Sequence, residues 1–117
     1  NFVRTRMAAK QVWFRLAGLS GASSIGLAAY GAHGLKVDAQ LQKTFENGNR
    51  LHMIHSVMLA MCPLLKRPHL SGSLFALGIG VFSGSCYTAV FTQDRTMGRF
   101  APVGGTALIF GWLTLVL

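Results

Sequence analysis

Two histidines three residues apart, His52 and His55, come nearest to a reactive pair in this chain. Positions i and i+3 share a helix face, so two imidazoles there can reach one ion, with Glu46 or Cys62 as further donors nearby in sequence. Specific zinc sites present three or four ligands at recognisable spacings, and no such set is spelled out here. Haem ligation by His33 or His55 needs a larger pocket than a chain of 117 residues readily supplies. The expected role of His52 and His55 is therefore structural, hydrogen-bonding carbonyls or helix ends, with no metal and no cofactor. An ionisable group inside a membrane is nonetheless a functional candidate by default, which keeps a proton-linked alternative open for the pair.

Serine chemistry fares worse. Ser20, Ser23, Ser24, Ser56, Ser71, Ser73, Ser83 and Ser85 are plentiful, but no G-x-S-x-G elbow exists and only three acids are present to orient a base. Hydroxyls in lipid bond to their own helix or to a neighbour. No phosphate-cradling loop is present, since Gly104-Gly105 alone is not one. Cys62 and Cys86 lie in apolar segments and read as small buried hydrophobes. No enzyme activity is expected.

The most regular pattern concerns packing. Gly18, Ala22 and Gly26 recur every fourth residue, as do Gly72, Ala76, Gly80 and Gly84. Helices in lipid have no hydrophobic drive to associate, so contact comes from close backbone approach across small residues. Both stripes are expected to be helix-packing faces, within the chain's own bundle or against a partner's helix. Gly104, Gly105 and Gly111 form a looser third set.

The elements carrying these residues are helices in a membrane. Hydrophobic residues make up 51% of the chain and charged ones only 12%, about half the usual share for a soluble domain. A helix apolar all round must be buried in protein or lipid, and a chain this short cannot bury four behind its own surface. The expected fold is an all-α, integral membrane four-helix bundle forming a single domain over 1–117. Its spans are about 13–32, 51–65, 70–91 and 100–117, with 1–12 a basic segment outside the bilayer. Trp13 and Tyr30 bracket the first span as an aromatic belt. Gly31–Lys36 is a turn holding His33, and Asp38 is the N-cap of the second helix. That helix begins with an amphipathic half, Leu41–Arg50, in which Glu46 and Arg50 are spaced to pair. Its apolar half is too short to span alone, so part of the polar half must dip into the membrane region, shielded by neighbours. Leu41, Phe45, Gly48, His52 and His55 form its bundle-facing stripe. Pro63 and Pro68 around Lys66 and Arg67 make a tight hairpin, with His69 a loop residue. Pro102 sits in the first turn of the fourth helix, where proline is tolerated.

Eleven Lys and Arg against three acids give a net charge of +8. These residues gather at helix ends and loops with no basic, aromatic-interleaved helix, so membrane topology explains them better than nucleic acid. Six of them, Arg4, Arg6, Lys10, Arg15, Lys66 and Arg67, fall on the side of the N-terminus; five fall opposite. The orientation rule counts Lys and Arg and so places the N-terminus inside, in cytosol or matrix. Lys66 and Arg67 are candidate contacts for anionic lipid headgroups.

An ordered series of blocks carries a further signal: Gly31-Ala32-His33-Gly34; Phe45 through His55-Ser56; Phe82-Ser83-Gly84-Ser85-Cys86-Tyr87; and Ala101-Pro102 with Gly104-Gly105 and Gly111-Trp112-Leu113. Together they resemble the transmembrane protein 256 family, which is related to a bacterial domain-of-unknown-function family of small four-helix membrane proteins. The resemblance runs from about Phe14 to Leu117, with Cys86 standing where a larger residue is expected. It implies the bundle fold and the mitochondrial inner membrane, and it implies no reaction. The expected function is a non-catalytic structural or accessory subunit of an inner-membrane, respiratory-chain assembly, with other membrane-protein subunits as partners. The alternatives are a small transporter, channel or proton-linked carrier using His52 and His55, and a lipid-binding membrane organiser.

Overall fold

A computed structural model describes residues 2–117, with side chains from Ala8 onward. Arg4 and Arg6, counted above for orientation, therefore have no described side chains. Four long helices run in sequence: α1 (Phe2–His33), α2 (Ala39–Met61), α3 (Pro68–Thr92) and α4 (Ala101–Leu113). No strand occurs among the described residues.

The chain is an all-α membrane bundle. By length and composition α3 and the stretch Arg95–Val116, which contains α4, are apolar enough to cross a bilayer. α1 and α2 carry more polar residues and lie against each other and the apolar pair. The expected basic segment 1–12 is not a separate piece: the described part of it continues α1 without a break. At 32 residues α1 is about 48 Å long, well beyond the roughly 30 Å of a hydrocarbon core.

Local chemistry explains the boundaries. Asp38, in extended conformation, caps α2 by accepting the Leu41 backbone N–H at 2.9 Å. Pro63 lies in a 3₁₀ turn, Cys62–Leu64, that closes α2, and Pro68 opens α3. His69 thus belongs to the first turn of α3 rather than to a loop. Gln93 ends α3 in the left-handed region at φ 53°, its N–H reaching back to the Ala89 and Val90 carbonyls. A 3₁₀ stretch, Arg95–Phe100, capped by Asp94, leads into α4, where Pro102 occupies the first turn.

α3 is not uniform. Ile79–Ser83 forms a π turn, one extra residue in the ladder. The bulge turns Ser83 toward α2, where its hydroxyl donates to the Gly48 carbonyl at 2.8 Å.

The core has two parts. One gathers Trp13, Ala17, Leu59, Cys62, Phe75 and Leu108. The other gathers Leu41, Phe45 and Val90. Trp13, expected as an interfacial belt residue, is instead 7% exposed and lies on Gly72, where a Cβ would meet its ring at 2.6 Å. Tyr30 stays exposed.

Within the chain's own bundle the two small-residue stripes are used unevenly. Gly72 packs as expected and Ala76 lies against the first cluster. At Gly18, Gly26, Gly80 and Gly84 an added Cβ would meet nothing within 4 Å, and Ala22 is exposed. Leu19 and Ile25, beside the first stripe, are 73% and 63% exposed, so that face of α1 turns outward. The inward face of α1 is one residue out of phase: Ala17, Gly21, Ser24 and Gly31. Residues four apart also advance by about 40° around a helix, so Gly72, Ala76, Gly80 and Gly84 cannot all face one neighbour. Close approaches occur instead at Gly31 on Phe45, Gly48 on Cys86, Gly78 on Leu108, Gly104 on the Phe82 backbone and Gly111 on Phe75.

Candidate functional site: a histidine-centred polar cluster

The expected inward stripe of α2 is observed. Leu41, Phe45, Gly48, His52 and His55 are buried, joined by Asn49, Ser56 and Leu59. Lys43, Glu46, Asn47 and Arg50 face outward. Glu46 and Arg50 do not pair; Arg50 donates to the Asn47 side-chain oxygen, and Glu46 accepts from Gln42.

Around His52 the bundle gathers polar groups from three helices. Its Nδ1 lies 2.9 Å from the Tyr87 hydroxyl of α3, and its Nε2 lies 3.1 Å from the Ser20 hydroxyl of α1. Ser20 in turn lies 2.6 Å from the Ser56 hydroxyl. The Asn49 amide donates to Tyr87 at 3.2 Å and to the Ser24 carbonyl at 2.8 Å.

Proton positions follow by elimination. Ser56 has one hydroxyl hydrogen and gives it to the His52 carbonyl at 2.7 Å, because a carbonyl can only accept. Ser20 must then donate to Ser56 and accept from His52. His52 is therefore the Nε2–H tautomer, and its Nδ1 accepts from Tyr87. The bonds run one way, from Asn49 to Tyr87, His52, Ser20 and Ser56, ending on the backbone of His52 itself. Such chains strengthen each member by polarisation.

His55 faces elsewhere. Indole Nε1–H of Trp112 donates to its Nε2 at 2.9 Å, so its Nδ1 carries the hydrogen and donates to the Leu51 carbonyl at 2.7 Å. Two histidines one helical turn apart thus hold opposite tautomers, each with both ring nitrogens engaged. They diverge instead of converging on one ion. Among the described residues no three His, Cys, Asp or Glu side chains gather as a metal-ligand set. Cys62 and Cys86 are both buried free thiols.

A second indole–imidazole pair ties the hairpin end, where Trp13 donates to His69 Nδ1 at 3.2 Å. Deeper at that end, Ser71 and Thr114 lie 2.5 Å apart, joining α3 to the end of α4. Among the described residues no buried side-chain nitrogen or oxygen lacks a partner. Lys66 and Arg67, the candidate headgroup contacts, are exposed, with Lys66 donating to the Leu117 carbonyl at 3.1 Å. At the opposite end Asp38 pairs with Arg95, and exposed His33 closes α1.

Sequence reasoning missed Asn49 and Tyr87 around His52, Trp112 as the partner of His55 and Trp13 as the partner of exposed His69. The available signal was the polar Asn49 on the stripe that carries His52, three residues before it.

With this geometry in place, the family is decided by a match over residues 27–105 to a protein family of unknown function, DUF423. The chain belongs to the DUF423 family. The transmembrane protein 256 family is the same family, so the resemblance read from the four blocks holds. A DUF423 chain of this length aligns along most of its curated relatives. It is 33% identical over 114 residues to a UPF0382 membrane protein of Staphylococcus epidermidis, covering 92% of this chain and 93% of that one. It is 31% identical over 115 residues to a UPF0382 membrane protein of Bacillus subtilis, covering 91% and 94%. A UPF0382 membrane protein of Haemophilus influenzae is 31% identical over 113 residues, with 91% of each chain covered. No solved structure matches. An integral membrane location follows. These relatives are bacterial, which argues against the mitochondrial inner membrane and the respiratory-chain role that the resemblance implied.

Proposed function

We propose that this DUF423 protein is a non-catalytic structural or accessory subunit, a four-helix unit that docks by α1 onto helices of a larger membrane assembly. One observation carries the reading: Gly18, Ala22 and Gly26, the regular small-residue stripe of α1, face away from the bundle with nothing of the chain packed on the two glycines. Small residues at that spacing suit close helix–helix contact in lipid. The interior is consistent with a packing role for the histidines, whose ring nitrogens are all hydrogen-bonded inside the bundle. A mitochondrial respiratory-chain complex is one partner among many in this reading, and bacterial membranes must supply another.

The test is purification of the tagged protein from its own membranes in mild detergent, then native sizing and mass spectrometry. Wild type is expected to co-migrate with other subunits at fixed stoichiometry. A Gly18→Leu/Gly26→Leu double variant should migrate alone with unchanged helicity. Wild type found only as free monomer sinks the proposal.

A second reading rests on His52, an ionisable group buried within the Asn49–Tyr87–His52–Ser20–Ser56 hydrogen-bond chain. Under it, proteoliposomes of the wild type acidify under an applied gradient and those of His52→Ala do not; equal rates remove it.

A further inference from the structure

We propose that the outer face of α3 binds one anionic phospholipid, an acyl chain lying along Gly80, Gly84 and Thr88 with its phosphate on Arg99. A shallow groove of about 440 Å³ runs there, walled by Met97 and Phe100 of the Arg95–Phe100 turn. Its floor is open because α3 has glycine at 80 and 84, where a Cβ would meet nothing within 4 Å. These two glycines belong to the stripe that the bundle does not use.

The groove asks for an apolar occupant. Its hydroxyls are already committed: Ser85 donates to the Val81 carbonyl and Thr88 to the Gly84 carbonyl at 2.7 Å. From Gly80 to Thr88 the helix rise gives about 12 Å of groove, lined at one side by Met97 and Phe100 of the following turn. Val81, Met97 and Phe100 give the lining an apolar character that suits a single acyl chain.

Charge supplies the other half. The Arg99 guanidinium lies 4.9 Å from the ring centroid of Phe100, a residue that lines the groove. Arg95, its neighbour in the turn, is paired with Asp38. Arg99 has no ion pair within 4 Å among the described residues. The nearby Asp94 carboxylate accepts from the Thr96 N–H at 3.0 Å and from its hydroxyl at 2.6 Å. A lipid phosphate at the interface would complete the arginine while its chain fills the groove.

The experiment reconstitutes the full chain into nanodiscs of equal phosphatidylglycerol and phosphatidylcholine, then counts retained lipid by native mass spectrometry. Wild type should keep one phosphatidylglycerol per chain, favoured about fivefold over phosphatidylcholine, the effect of one interfacial cation. Arg99→Gln should retain a lipid without that preference. Gly84→Leu, which fills the groove without touching the fold, should retain none, with helicity and melting unchanged. Lys66→Gln/Arg67→Gln should behave as wild type. Equal retention by wild type and Gly84→Leu overturns the proposal, as does a preference that follows Lys66 and Arg67 rather than Arg99.

Discussion

At the scale of single residues, His52 shows how a buried imidazole can be fully determined by its partners. Three helices each contribute a group, and the one-way run of hydrogen bonds fixes the tautomer. Tyr87 is the joint, accepting from Asn49 and donating to His52. Tyr87→Phe removes one oxygen, leaves the Asn49 amide its bond to Ser24, and strands His52 Nδ1 without a donor. The expected loss is about 1–2 kcal/mol in a detergent unfolding titration, the cost of one unsatisfied buried acceptor. The His52 imidazole should then lose its single tautomer in ¹⁵N NMR; an unchanged spectrum would refute the assignment. The histidine pair itself was legible in the sequence, as was its place on the inward stripe. Its partners were not, because Ser20 and Tyr87 lie 32 and 35 residues away from His52.

At the scale of elements, the helix boundaries followed from local rules. Asp38 caps α2, prolines bracket the hairpin, and Pro102 opens α4, each by chemistry within a few residues. The α2 cap carries a pH dependence. The Leu41 N–H on its carboxylate, with Arg95 adding, holds Asp38 below the ordinary 3.8 against an opposing effect of desolvation. Thr96 does the same for Asp94 through its hydroxyl and N–H. A depressed carboxylate stabilises the folded state above its unfolded value, and that contribution is lost as pH falls through the folded one. Hydrogen exchange, corrected for intrinsic rate, should therefore show the first turn of α2 losing protection below about pH 4, with Asp38→Asn blunting the change. Protection that is flat with acid would mean that the cap and ion pair contribute nothing measurable.

At the scale of the whole molecule, glycine position separates internal packing from external surface. Gly104 touches the Phe82 backbone, so Gly104→Leu must push α4 off α3 and should cost at least about 1–3 kcal/mol, with loss of the native melting transition. Gly18→Leu meets nothing and should melt as wild type. The reverse order would place the α1 stripe inside the bundle after all. Composition, apolar run lengths and caps determined that this is a helical membrane protein, roughly where each helix starts and stops, and that α2 is the polar member. Those features are set by bilayer thickness and by backbone groups within a few residues. For α1 and α3 the tertiary structure alone decided which side turns inward. α1 carries two small-residue faces one position apart, and lipid is as apolar as a leucine core, so hydrophobicity does not choose between them. The choice falls to polar groups that need partners: Asn49 reaches the Ser24 carbonyl across 25 residues, and Ser20 meets Ser56 across 36. The Asn49 amide and the His52 ring nitrogens facing hydrocarbon would go without those bonds, and that penalty turns Ser20 and the Ser24 carbonyl inward and the Gly18 stripe out.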